Sequence, residues 1–174
     1  MSARKPRGVS LLETVLVVAI MAILAAIAIP RISRSSEGAA ETALKEDLRV
    51  VRNAIEMFRV EHDGILPGSV GDGTNAAGTA ACFRWHLWHY SNTDGIISQT
   101  KQPGYLFGPY LRVFPKGPLG PAKGRIAVIM VDEGVPLSGQ PNPINPWKYD
   151  YTTGEFIFNW DALSGDGVTA YDDL

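Results

Sequence analysis

Between Leu11 and Ile29 the chain reads LLETVLVVAIMAILAAIAI, and only Glu13 and Thr14 interrupt an otherwise apolar run. As a helix rising 1.5 Å per residue, the stretch spans roughly 28 Å, about one hydrocarbon core. No other feature limits the fold so strongly. The run reads as a signal sequence, as a plain membrane anchor, or as an anchor whose acid has a purpose. An ionised acid near the middle of a membrane helix costs on the order of 2.5–3.5 kcal/mol on insertion scales. Glu13 sits near the start of the run, where the cost is smaller but the placement still asks for a partner.

The flanks sharpen the choice. The preceding MSARKPRG carries Arg4, Lys5 and Arg7 and no acid, so the N-terminus is expected on the cytoplasmic side. Arg31 and Arg34 on the far side act against that bias. A secretory signal peptide would use Ala26-Ile27-Ala28 as its small-residue cleavage site, but the run exceeds the usual apolar core of such a signal and contains Glu13. A cut after Gly8 instead leaves Val9 as a new N-terminus with Glu13 four residues on. Residues i and i+4 share a helix face, and a carboxylate in the first turn is favoured by the helix dipole. In a bundle of staggered identical helices, Glu13 of one subunit meets the Val9 amine of another, and a paired buried charge of that kind fixes registry.

RGVSLLETVLVVAIMAILAAIAIP resembles the leader and N-terminal segment of type IV pilins and type II secretion pseudopilins. The resemblance rests on Gly8, a hydrophobic residue after it, Glu13 at the fifth position beyond the cut, and Pro30 closing the run; Val9 replaces the more usual phenylalanine. It implies cleavage between Gly8 and Val9 by a prepilin peptidase, N-methylation of Val9 by the same enzyme, and assembly through Glu13. It also implies a pilin-like α+β fold, with a long N-terminal helix, membrane-spanning then amphipathic, packed on a small antiparallel β-sheet head. The expected organisation is a leader over 1–8, a membrane and filament-core helix over 9–30, the amphipathic half of that helix over 31–63, and a strand-rich head over 64–174. Loss of the leader leaves 13 basic against 18 acidic residues, a formal charge of −5.

The rest of the chain supports that outline residue by residue. Pro30 lacks an N–H and is expected to kink or loosen a continuing helix. Leu44, Leu48, Val51, Ile55 and Phe58 recur at helical spacing as one apolar stripe, with Lys45, Glu46, Arg49, Arg52, Glu56 and Arg59 on the other faces. Asp63-Gly64 and Pro67 predict the stop. From Leu11 to His62 such a helix measures roughly 78 Å, a spine rather than an enzyme core. Residues 68–80 read as a glycine-rich loop, 125–131 as a buried strand, and 147–160 as a hairpin turning at Thr152-Thr153-Gly154.

Candidate chemistry is sparse. The C-terminal WDALSGDGVTAYDDL concentrates acids around glycines, and calcium takes six to eight oxygen ligands. By resemblance to the calcium loop of major pseudopilins, the matching ligands are Leu163 and Val168 through their carbonyls, with Ser164, Asp166, Asp172 and Asp173. No cofactor is required, and calcium is the candidate ion; the alternative is a solvated acidic tail. His86 and His89, three apart in FRWHLWHY, with His62, form a candidate metal set beside the blander aromatic packing. Cys82, the only cysteine, excludes an intrachain disulfide and is expected to be buried. No nucleophile–base pattern or phosphate-binding glycine motif occurs, so no enzyme is expected. With a charge of −2 and no basic block beyond the N-terminus, no nucleic-acid partner is expected.

The expectation is therefore a homo-oligomeric helical filament subunit, single-pass in the inner membrane with a periplasmic head. Its implied partners are the prepilin peptidase/methyltransferase, an inner-membrane secretion assembly platform and minor pseudopilins. The alternatives are a type IV pilus pilin for adhesion, motility or DNA uptake, and a signal-anchored periplasmic domain binding metal through His86, His89 and the acidic tail.

Overall fold

The computed structural model describes residues 10–174, and of 25–36 the backbone alone. Its elements in chain order are helix α1 (Leu11–Glu61), helix α2 (Ala80–Trp88), strands β1 (Tyr90–Ser91), β2 (Ile97–Ser98), β3 (Val128–Val131), β4 (Trp147–Asp150) and β5 (Phe156–Phe158), and a 3-10 turn over Tyr171–Asp173. The chain divides into two units, Met1–Ala39 and Ala40–Leu174, and α1 contributes to both.

In the first unit α1 opens at Ser10, whose carbonyl accepts from the Thr14 N–H at 3.0 Å and from Thr14 Oγ1 at 3.2 Å. The helix continues without a break through Pro30. Among the described residues no helix is long and apolar enough to cross a membrane. The side chains of 25–36, which complete the span expected over 9–30, lie outside the described residues.

In the second unit the apolar stripe is buried as its spacing predicts. Leu44, Leu48, Val51, Ile55 and Phe58 are all 2 % exposed or less, and each such side chain stabilises the fold by about 1.5–3 kcal/mol. The helix stops where Asp63 and Gly64 both turn to positive φ, 52° and 91°. The Gly64 N–H then reaches back to the Arg59 carbonyl at 2.8 Å, which closes the exposed last turn. Arg52 leaves the helix surface to donate to the carbonyl oxygens of Phe156 (3.0 Å) and Leu174 (2.7 Å), tying α1 to β5 and to the end of the chain.

The predicted hairpin forms. Trp147 pairs with Phe158, Lys148 with Ile157 and Tyr149 with Phe156 in antiparallel register. Asp150 Oδ1 accepts from the Thr152 and Thr153 N–H groups, and Gly154 takes the left-handed position at φ 84°. Trp147, Tyr149, Phe156 and Phe158 join Phe83 and Phe114 in an aromatic core. Phe83 stacks on Tyr149 at 4.1 Å, and Trp147 on Phe156 at 5.3 Å.

The antiparallel sheet expected for the head needs correction. β3 pairs parallel with β4, so the three-stranded sheet, in order β3-β4-β5, is mixed, and β1 and β2 form a separate antiparallel pair. The reason is the connection over 132–146. Parallel neighbours need a crossover of a dozen or more residues, and Pro136, Pro141, Pro143 and Pro146 keep this one from forming a strand of its own. It is held down by Lys148 Nζ donating to the Ser138 carbonyl (2.6 Å) and by the Gly139 N–H donating to Asp172 Oδ2 (2.6 Å). A Cβ at Gly139 would stand 2.6 Å from the Trp160–Asp161 backbone, so the close approach there requires glycine.

Candidate assembly segment and buried polar groups

Glu13 lies in the first turn of α1, on the segment whose large apolar side chains are most exposed. Leu11, Leu12, Val15, Leu16, Val17, Val18, Ile20, Met21, Ile23 and Leu24 each keep half or more of their surface open. Apolar surface on that scale marks an interaction site rather than a water-facing one. Glu13 and Thr14 are the polar residues that the helix carries into it between Leu11 and Leu24. Gly8 and Val9, the expected cleavage and methylation positions, lie outside the described residues.

The three histidines do not converge. His62, at the foot of α1, bonds the Phe58 carbonyl through Nδ1 (2.8 Å) and Ser91 Oγ through Nε2 (2.9 Å). A neutral ring donates at Nδ1 and accepts the Ser91 hydroxyl at Nε2. His86, on α2, accepts the Gly68 N–H at Nδ1 (2.9 Å) and donates from Nε2 to the Gly95 carbonyl (2.8 Å). Phe58 lies between the two rings, 3.8 Å from His62 and 4.8 Å from His86 by centroid. His89 caps the end of α2 and meets the Trp85 ring edge-on. With both nitrogens of His62 and His86 committed to the protein, these rings clamp loops rather than an ion. Among the described residues no three His, Cys, Asp or Glu side chains gather as a metal site.

This clamp gives the head a pH response. Burial lowers the His86 pKa to about 4 against the pull of the Gly95 carbonyl, and burial lowers that of His62 as well. An unfolded imidazole takes its proton near 6.5. Between pH 6.5 and 4 the unfolded state therefore binds more protons than the folded one, and stability rises with pH in that window. The contribution of His86 is fully present above about pH 6.5. It falls by about 3 kcal/mol as the pH drops to 4, at 1.36 kcal/mol per unit. Trp85, Trp88, Trp147 and Trp160 all lie in the second unit, so denaturation followed by tryptophan fluorescence reads the head alone. The denaturant midpoint is expected to fall steadily from pH 7 to 4, and His86→Gln is expected to flatten that fall.

The acidic C-terminal loop is closed by its own hydrogen bonds. Asp166 Oδ1 accepts from Ser164 Oγ and from the Val168 and Thr169 N–H groups, all within 2.9 Å, and Oδ2 accepts from Thr169 Oγ1 at 2.8 Å. Those donors, led by the Val168 and Thr169 backbones, hold the carboxyl far below its ordinary range. Leu163 bridges to Ala170 across the loop, Val168 is 82 % exposed, Asp172 is turned onto Gly139, and Asp173 closes the 3-10 turn.

Two buried polar groups escaped sequence reasoning. Asp72 is fully buried; burial alone would raise its pKa, but hydrogen bonds from the Asn75 and Thr74 N–H groups and from Asn75 Nδ2 lower it. Ser91 is the partner of His62. The D-G-T-N order at 72–75 is an Asx-turn signal that would have found the first; no local pattern announces the second. Cys82 is buried, with Sγ donating to the Val70 carbonyl at 3.1 Å, and burial pushes its thiol up to about 12. It is no nucleophile.

Residues 3–29 match the family model described as the prokaryotic N-terminal methylation motif, the prepilin-type segment of type IV pilins and pseudopilins. No curated protein and no solved structure matches the chain. The motif covers the three basic residues of the leader, Gly8, Val9, Glu13 and the whole apolar run from Leu11 to Ile29.

Proposed function

We propose that this chain with a prepilin-type N-terminus is a structural filament subunit of a type II secretion pseudopilus. A prepilin peptidase cuts it between Gly8 and Val9 and methylates the Val9 amine. Residues 9–30 hold it in the inner membrane, with the head in the periplasm, until an assembly platform draws it into the fibre. One observation carries this reading: the methylation motif coincides with a helix that exposes its apolar side chains and sets Glu13 in its first turn. Lipid covers such a surface before assembly, and sister helices cover it afterwards.

The runner-up is a type IV pilus pilin. Cys82 is the sole cysteine, which leaves no pair to staple a C-terminal loop and favours the pseudopilin. A metal-binding anchored domain is disfavoured because His62 and His86 spend both ring nitrogens inside the head. Intact mass and N-terminal sequencing of the membrane-extracted protein are expected to give a chain beginning at methylated Val9. A start at Met1 would favour the plain anchor, and one at Ile29 the secreted form. Fibres confined to the periplasm support the pseudopilus; fibres extending beyond the outer membrane support the pilus.

Calcium at the C-terminal loop is a separate proposal. An ion there would use the carbonyls of Leu163 and Val168 with Ser164, Asp166, Asp172 and Asp173, and it would compete with the four hydrogen bonds to Asp166. Bound calcium is expected to raise the melting temperature of the head by several degrees, as mass action requires at saturating ion. A variant carrying Asp166→Ala and Asp172→Ala should lose that response. An unchanged melting temperature on adding calcium to the native chain assigns the acids to loop closure alone.

A further inference from the structure

The head sorts its charges along the chain. Residues 95–131 contain five cations and no acid, whereas 132–174 contain eight acids and the single cation Lys148, which is buried on the Ser138 carbonyl. The fold turns this order into two ends of one sheet. β3 and β4 run parallel and β5 opposes them, so the residue after β3 and the residue before β5 share an end. Asp132 and Glu133 follow β3 and Glu155 precedes β5; all three are exposed. Tyr151, just past β4, donates its hydroxyl to Asp132 and so joins the two sides of this end.

The other end carries the opposite sign. The loop before β3 is folded on itself, with the Gly117 N–H donating to the Arg125 carbonyl (2.9 Å) and the Gly124 N–H to the Gly117 carbonyl (2.8 Å). It is fixed beside the start of β4 by Trp147 Nε1 donating to the Pro115 carbonyl (3.1 Å). Lys116, Lys123 and Arg125 project from it, all exposed. Asp161 lies past β5 at this end and makes no ion pair with them. Among the described residues the ion pairs are Lys45–Glu41, Arg49–Glu46 and Arg59–Glu56, all within α1. Charges therefore pair along the helix and stay unpaired at both ends of the sheet, apart from a longer-range attraction between Glu155 and Arg52. A four-residue strand separates those ends by about 13 Å, beyond the roughly 8 Å over which physiological salt screens. They do not neutralise each other within one head.

We propose that the two ends dock on each other between neighbouring copies: the basic loop of one head, through Lys116, Lys123 and Arg125, meets the acidic end of the next, through Asp132, Glu133 and Glu155. This contact rests on the filament reading above and specifies how the heads follow one another. A second copy is the occupant because it satisfies both ends at once, with three charges against three, whereas a free polyanion would use the basic loop and leave the acids unexplained. Such a contact is heterologous, joining different patches, and it propagates along a helical array instead of closing into a two-fold pair. Exposed ion pairs are individually weak, so the contact sets the order and register of subunits held by their N-terminal helices.

The test uses the full-length chain in its native host, with fibres counted by negative-stain electron microscopy and head folding checked by tryptophan fluorescence. The set Lys116→Glu, Lys123→Glu, Arg125→Glu is expected to cut fibre yield at least tenfold, and so is the set Asp132→Lys, Glu133→Lys, Glu155→Lys. A chain bearing both sets has its signs exchanged and is expected to recover most of the yield, which no merely structural role predicts. Lys123→Glu with Glu133→Lys gives the same cycle in milder form should the larger sets fail to fold. Unchanged yield in both single sets overturns the contact. Loss from the basic set alone, without recovery in the combined chain, also overturns it and assigns the loop to another polyanion. Absence of fibres from the native chain would instead overturn the filament reading, and the contact with it.

Discussion

Glu13→Ala is expected to remove the subunit from fibres while leaving the head folded. The carboxylate sits in the first turn of a helix whose other large side chains there are apolar and exposed. Once those side chains are enclosed by sister helices, a Val9 amine without its counter-ion is an uncompensated charge. Removing one partner of a buried pair costs about 3–5 kcal/mol, more than a hundredfold in the equilibrium for adding a subunit. Glu13→Gln keeps a hydrogen-bond acceptor but not the charge, and is expected to assemble poorly as well. The measurement is the ratio of fibre-bound to membrane-bound subunit, with tryptophan fluorescence as the folding control. Normal incorporation of the alanine variant would falsify the counter-ion account.

The largest effect on the head itself is expected from Phe58→Ala. Phe58 is fully buried and lies between the rings of His62 and His86, with Tyr110 meeting it edge-on at 5.7 Å. Truncating a buried phenylalanine costs about 3–5 kcal/mol, a large share of the 5–15 kcal/mol that separates a typical native state from its unfolded ensemble. The loss here also frees both imidazoles to move. The denaturant midpoint is expected to fall sharply, and the dependence of stability on pH between 6.5 and 4 to weaken with it, because looser rings are less desolvated. An unfolding free energy within about 1 kcal/mol of the native value would show that the clamp closes without Phe58.

What the sequence made legible follows from the range over which each signal acts. The stripe Leu44, Leu48, Val51, Ile55 and Phe58 repeats at helical period over four turns, so its burial and the stop at Asp63-Gly64 could be read locally. The hairpin at 147–160 carries both its alternation and its turn within one short window. β3 was legible as a strand but its partner was not, because pairing across the proline-rich 132–146 depends on a crossover that no local pattern describes. α2 was illegible as a helix for a different reason. FRWHLWHY is apolar or aromatic on nearly every side, so it has no polar face to set a period.

The candidate sites divide in the same way. Glu13 stood out because an acid in an apolar run is anomalous wherever it falls. His86 and His89 looked like a pair by spacing, yet α2 ends at Trp88, and His89 belongs to the cap while His86 faces inward. The order of residues around Asp166 reads as a glycine-turned acidic segment, and the four donors that fill its carboxylate are set by the turn itself. The sorted charges of the head have no local signature, because their cations are spaced along the chain and become one surface only when the 115–125 loop folds back on itself.

Cys82 has a practical consequence. Its sulfur is sealed beneath α2 and bonded to the Val70 carbonyl, with its proton held to about 12. An alkylating reagent cannot reach it until that helix lifts from the loop below. The rate of modification of the native chain is thus a clock for transient opening of the head, readable by mass in the membrane and in the assembled fibre alike. Cysteines introduced on the surface for crosslinking would react first, against a nearly silent background.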